Sequence, residues 1–362
     1  MSAKTAPKGG KVLVARLDSM GDVLLTGPAI RAVARSSASV TALVGPRGVA
    51  AAELLPGVDR VRVLDAPWVS LSPEALDPES VRQFIDDVKG EQFDAALIFT
   101  SFHQSPLPLA LLLRMAGVHW IGAISVDYPG SLLDVRHTVP EDLPESERAL
   151  SLAEAAGFTR DDAGSTLAVR HPLPTVDAIG LDPFVVYHPG AAVSARMPTA
   201  EHSRAIVESL VAEEFTVIVT GGADERALAE YVADGRATNL AGTLSLAELA
   251  SLYARAQAVV VPNTGPAHLA AAVGVPTVSL FAPVVPAARW APYGTPMILL
   301  GEQDSPCRDT RARECPLPGH PCLSSISPYD VVDAVRRLTR RGCEPYARSE
   351  IPIATTMAGG PA

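Results

Sequence analysis

Val261-Pro262-Asn263-Thr264-Gly265-Pro266-Ala267-His268 joins a short apolar run to an alanine-rich pattern, and the reading of this turn decides the fold. Residues 258–261 are β-branched and apolar, which suits a buried parallel strand, and 268–273 suits a helix closed by Gly274. Thr264 is placed to cap that helix, Gly265 lets a ligand approach the backbone, and Pro266 fits the first turn, where its missing N–H costs nothing. Free N–H groups and the positive helix end then point at one spot suited to a phosphate. An ordinary strand-to-helix turn with a buried, satisfied His268 is the alternative the residues leave open.

Strand and helix alternate on both sides of this turn. Upstream, strands are expected over 11–17, 39–44, 60–64, 94–99 and 119–123, with helices over 23–35, 47–55, 78–89, 106–116 and 144–156. Between 170 and 183 no period is sustained, and the alternation then restarts. Strands follow over 184–187, 216–220, 258–261 and 277–281, with helices over 200–214, 224–233, 245–256 and 328–341. This predicts an α/β protein of two Rossmann-like parallel-sheet domains facing a central cleft. The expected boundaries are 1–170, a linker over 171–183, 184–345, and a flexible tail over 346–362.

At 362 residues the chain suits two domains, and 48% hydrophobic against 19% charged residues marks it as folded, not disordered. A net charge of −10 supplies no basic face for a nucleic-acid backbone, so phosphate binding must be local. No leader is expected, because the apolar run after the polar start ends at Arg16. Other apolar stretches are broken by Arg114 or by prolines before the roughly 20 residues a membrane span needs. A cytoplasmic location with at most peripheral membrane contact is therefore expected. Cys307, Cys315, Cys322 and Cys343 lack CxxC spacing and read as free thiols, with a structural metal or redox pair as alternatives.

Ligands of open parallel sheets bind at the strands' carboxyl ends, which focuses attention on four loops. Asp22 closes the Asp18-Ser19-Met20-Gly21-Asp22 turn after the first strand. It is either a first-turn helix carboxylate or a general base that removes a proton from an acceptor hydroxyl. Ser19, Met20 and Gly21 on that turn, with His103 after the strand over 94–99, are candidate acceptor-binding residues. His188-Pro189-Gly190 opens a loop of small residues carrying Arg196, which suits a diphosphate or is a solvated surface charge. Glu225, after Gly221-Gly222, reads as a ribose partner or as a first-turn helix acid.

Together these segments resemble the heptosyltransferases, glycosyltransferase family 9, over about residues 11–340. Residues 11–22 resemble the family's opening strand with its SMGD turn, His188-Pro189-Gly190 its HPG loop, and 263–272 its (D)TGPxHLAAA segment. The resemblance implies the GT-B architecture and inverting transfer of a heptose from an ADP-activated donor, with no metal and no cofactor. It also implies Asp22 as catalytic base, with Arg196, Glu225, Asn263, Thr264, Gly265 and His268 around the donor. Asn263 stands where the family usually has Asp, and Ala195 and Met197 where its KRWP-like segment has Lys and Trp, so the donor class is implied rather than one sugar. The acceptor is a glycan, a lipid-linked glycan or a small molecule. A nucleotide-sugar epimerase or hydrolase and a noncatalytic nucleotide-sugar-binding protein are the rival readings.

Overall fold

The computed structural model describes residues 5–70, 73–139, 142–160, 165–176 and 183–340. The tail over 346–362, Cys343, Arg341 and part of the expected linker lie outside them.

Among the described residues, twelve strands form two parallel sheets. The first contains β1 (Lys11–Arg16), β2 (Ser39–Val44), β3 (Arg60–Val63), β4 (Ala95–Ile98), β5 (Trp120–Ile124) and β6 (Val135–His137), in the order β3-β2-β1-β4-β5-β6. The second contains β7 (Val185–Tyr187), β8 (Val217–Val219), β9 (Thr238–Asn239), β10 (Ala258–Pro262), β11 (Thr277–Leu280) and β12 (Met297–Leu300), in the order β12-β11-β10-β7-β8-β9. Counted from each sheet's own first strand, both read third, second, first, fourth, fifth, sixth. The central strands β4, β7 and β10 are buried along their whole length, as expected where helices cover both faces. Strand order reverses between β1 and β4 in one sheet and between β7 and β10 in the other, and a crevice for ligand opens at such reversals.

Three strands escape sequence reading for local reasons. β6 carries Arg136 at its centre, β9 has only two residues, and the half-buried Met297–Leu300 shows no alternation. The helix expected over 23–35 is two helices, Met20–Leu25 and Gly27–Ala34. Thr26 bonds back to the Asp22 carbonyl at 2.9 Å, and Pro28 removes a backbone donor, so the ladder breaks between them. The last helix runs Pro328–Arg340.

The lobes meet along a closed seam. One apolar cluster joins Val23, Leu24 and Leu25 to Ala267, Leu269 and Ala270 of the opposite lobe, with Met20, Trp290 and Tyr293 packed against it. Tyr293 also donates a hydrogen bond to Glu147 of the helix Glu145–Ala155. No described helix is long and apolar enough to cross a membrane.

Candidate active site

The helix Met20–Leu25 begins earlier than its apolar residues suggest, because Ser19 supplies an extended N-cap and Asp22 stands three residues on. Asp22 Oδ2 accepts from the Ser19 amide at 3.2 Å and from the Ser19 hydroxyl at 2.6 Å. Asp22 is thus the first-turn helix carboxylate that the sequence offers. Its other oxygen, Oδ1, accepts from Arg16 Nη2 at 2.9 Å.

Arg16, the last residue of β1, is 4% exposed and is the group that sequence reading missed. Its Nε lies 2.7 Å from Asp18, its Nη2 donates to Ser101 Oγ at 2.9 Å, and its Nη1 stands 3.4 Å from Glu145. Gln104 completes the cluster by donating to Asp18 and accepting from the Ser101 amide. Burial opposes the charge on Arg16, but Asp18, Asp22 and Glu145 outweigh it and raise its pKa. Burial pushes Asp22 up, yet Arg16, both Ser19 hydrogen bonds and His268 hold it below its ordinary value. Asp18 and Glu145 are instead raised, by burial. Asp22 is therefore the carboxylate of this group most firmly kept ionised.

Across the seam the helix Gly265–Ala272 presents its N-terminus. A Cβ on Gly21 would lie 2.9 Å from His268 Cδ2 and 3.1 Å from Gly265 Cα, and one on Gly265 would meet the Met20 side chain. The two helix starts touch only because both carry glycine at this crossing. Thr264 occupies the N-cap position with extended backbone, but its hydroxyl makes no capping bond, a correction to the expected cap. The helix also starts at Gly265 rather than His268.

Burial holds His268 down to about 4, with Asp22 opposing and Arg196 assisting, so the imidazole is neutral near pH 7. It acts there as a hydrogen-bonding group and not as a cation. Among the described residues, buried polar atoms without a protein partner include Arg196 Nε and Asn263 Nδ2 on the segments after β7 and β10, and His268 Nδ1 in the first turn of the helix Gly265–Ala272. Buried polar atoms are normally hydrogen-bonded, and these three follow the strands at the strand-order reversal. Burial lowers the Arg196 pKa while Asp22, across the seam, raises it, which links the two lobes electrostatically.

The Arg196 loop is braced by the cysteine-bearing segment, a relation no local signal reveals. Ala195 N and Ser194 Oγ both donate to the Arg313 carbonyl at 3.1 Å, and a His320 ring nitrogen meets the Ala195 carbonyl at 3.1 Å. Cys307, Cys315 and Cys322 carry no disulfide. Burial and the two neighbouring thiols push Cys322 up to about 12, which leaves it protonated.

Glu225 follows β8. Its Oε2 accepts from the Gly222 amide at 2.6 Å and lies 3.6 Å from His188 Nε2, while His188 Nδ1 meets Thr220 Oγ1 at 3.1 Å. Burial holds His188 down to about 4, so Glu225 faces a neutral ring. A Cβ on Gly190 would overlap the Glu225 carboxylate, which explains the glycine of that loop. His103 is exposed at the seam's mouth, edge-on to Phe102 with ring centroids 5.4 Å apart. Phe102 in turn lies under Arg289 at 4.4 Å and Arg311 at 5.3 Å from the opposite lobe. Partial desolvation of its ring between the lobes, followed by Arg311 and Arg16, lowers His103 to about 4 although the residue as a whole is exposed.

Residues 81–320 match the model of glycosyltransferase family 9 (heptosyltransferase). The chain belongs to this family. Lipopolysaccharide heptosyltransferase 3 of Escherichia coli is 34% identical over 143 residues, 37% of this chain and 40% of that protein. Lipopolysaccharide heptosyltransferase 1 of Pseudomonas aeruginosa is 33% identical over 186 residues, 47% of this chain and 48% of that protein. The chain thus spans less than half the length of these curated relatives. The E. coli heptosyltransferase WaaC, solved with ADP-2-deoxy-2-fluoro heptose, shares the fold at a TM-score of 0.66 and 18% identity, covering 90% of this chain and 99% of that one.

Proposed function

We propose that the protein is an inverting, metal-independent glycosyltransferase that moves a heptose or related sugar from an ADP-sugar to a hydroxyl acceptor. The observation that carries this reading is the meeting of Asp22 with the start of the helix Gly265–Ala272 through Gly21 and His268. A proton acceptor and an anion site thereby flank one point, as a single displacement requires.

In this reading Asp22 takes the proton of the acceptor hydroxyl as that oxygen attacks the anomeric carbon. The bond to the donor diphosphate breaks on the opposite side, and its electron pair leaves with the diphosphate. Arg196 and the backbone N–H groups at the helix start stabilise the departing charge, and neutral His268 adds a hydrogen bond. In this reading these donors hold the leaving diphosphate without a metal. Asn263 Nδ2, unpartnered and buried, meets an oxygen of the donor. Glu225 serves the nucleotide, further along the same lobe. The 1–170 half then holds the acceptor, with Ser19, Met20, Gly21 and His103 beside it, and the 184–345 half holds the donor. The fold is shared with a heptosyltransferase solved with an ADP-heptose analogue, which supports ADP-heptose as donor. The related lipopolysaccharide heptosyltransferases support a glycan or lipid-linked acceptor, met in the cytoplasm or at a membrane surface.

Mass spectrometry of ADP-, GDP-, UDP- and dTDP-sugars incubated with acceptor extracts tests the proposal. ADP-heptose should be consumed only when extract is present, with the heptose mass appearing on an acceptor. Consumption without acceptor would instead identify an epimerase or hydrolase, and binding without consumption a noncatalytic protein.

A further inference from the structure

The Asp22 carboxylate is unevenly occupied. Oδ2 accepts two hydrogen bonds, from the amide and the hydroxyl of Ser19, whereas Oδ1 accepts one, from Arg16 Nη2. Each carboxylate oxygen has two acceptor positions, so Oδ2 is filled and Oδ1 has one to spare. Arg16 cannot turn away from Oδ1, because Asp18, Ser101 and Glu145 fix the rest of its guanidinium, and it is buried at the end of β1. No proton leaves Arg16 itself, since a guanidinium keeps its charge in proteins.

We propose that Arg16 is a positioning residue for the transfer, which locks Asp22 so that Oδ1 is the oxygen that receives the acceptor's proton. This rests on Asp22 being the base. In the step, the acceptor oxygen bonds to the anomeric carbon, the carbon–oxygen bond to the diphosphate breaks with its electron pair on the leaving oxygen, and the hydroxyl proton moves to Asp22 Oδ1. Arg16 does two separable things. Its charge keeps Asp22 ionised, and its fork, tied to β4's loop through Ser101, sets the direction of the free lone pair.

The other charged groups facing Asp22 are Asp18, Glu145 and His103 from its own lobe and His268 and Arg196 from the other. Both histidines are neutral near pH 7, Arg196 and Arg148 are the remaining cations, the latter 3.7 Å from Glu145, and Asp18 and Glu145 repel the Asp22 charge. Removing Arg16 therefore takes away the cation hydrogen-bonded to Asp22 while Asp18 stays beside it and Glu145 keeps Arg148 as partner, so the proton affinity of Asp22 must rise.

The test uses the full chain with aspartate labelled by ¹³C at the carboxyl carbon, the Asp22 signal being the one lost in D22N. Titration by NMR is run on wild type, R16Q and R16K, beside the pH dependence of kcat/KM for ADP-heptose with the extract that supports transfer. In R16Q the Asp22 signal should titrate about one to three pH units higher, the effect of losing an opposite charge at this distance, and the acid limb of kcat/KM should move with it. In R16K the titration should stay near wild type while the plateau of kcat/KM falls about tenfold or more, because an ammonium cannot bridge Asp18, Asp22 and Ser101 at once. An R16Q that titrates as wild type, or an R16K with a wild-type plateau, overturns the proposal. Should R16Q fail to fold, the R16K plateau decides alone. Wild-type turnover in D22N would defeat the base assignment itself, a result separate from either Arg16 outcome.

Discussion

Gly21 offers the most discriminating single substitution, because local and interlobe physics pull in opposite directions there. It is the second residue of the helix Met20–Leu25, where replacing Gly by Ala within one lobe alone would stabilise the helix by about 0.5–1 kcal/mol. The added methyl would stand 2.9 Å from His268 Cδ2 and 3.1 Å from Gly265 Cα. Carbon atoms rest at about 3.5–4.0 Å, so the lobes or the imidazole must give by roughly 0.4–1.1 Å. Overpacking of this kind costs about 1–3 kcal/mol, which outweighs the helical gain. A displacement near 1 Å between base and leaving group costs about 100-fold in rate. G21A should therefore lose about 10- to 100-fold in kcat, with a lowered melting temperature and little change in ADP affinity, because the proposed function places the nucleotide in the other lobe. The assay pairs ADP release with thermal unfolding, and G90A is the control. Gly90 lies near the end of the helix Pro78–Glu91 with nothing within 4 Å, so alanine there should leave activity alone and add up to about 1 kcal/mol. A G21A protein as active as wild type and stabilised like G90A would refute contact between the lobes at this point.

Two further outcomes are open to test. R196A should raise the ADP dissociation constant by about 10- to 100-fold, the value of a charge-assisted hydrogen bond or two at about 1.4 kcal/mol per tenfold, and calorimetry returning an unchanged constant would remove Arg196 from the diphosphate. His188 and His268 are held to about 4 in the folded chain against about 6.5 when unfolded, so between these values the unfolded state binds protons that the folded state refuses. Their contribution to stability is complete above pH 6.5 and is lost as pH falls toward 4. Denaturant midpoints at pH 7 and pH 5 should therefore differ less in H188Q than in wild type, and equal differences would contradict the burial argument.

How much of this was legible depended on how far apart in the chain the partners lie. The strand-to-helix turn of residues 261–268 is written in eight consecutive residues, and the β-branched run of β10 followed by Thr264-Gly265-Pro266 fixes it locally. The repeated α/β alternation likewise gave both sheets, since buried parallel strands are continuous apolar runs. Arg16 was legible only as an interruption of one such run, because its partners Ser101 and Glu145 lie 85 and 129 residues away. Tertiary closure alone gives it meaning. The same holds for Phe102 beneath Arg289 and Arg311, and for the bracing of Arg196 by the segment around His320. Thr264 shows the converse limit: residue type made it a cap, and it occupies the N-cap position, but its hydroxyl makes no capping bond. Neutrality of His268 was equally hidden, since burial and not sequence sets its protonation.

Replacing Asp22 by Asn tests the central claim most directly, because it removes the proton acceptor while keeping the side-chain shape. With ADP-heptose and an active acceptor extract, transfer should fall by about 100- to 10,000-fold, the range of a lost general base, while the calorimetric affinity for ADP stays close to wild type. Transfer at the wild-type rate in D22N, with the same ADP affinity, would contradict it.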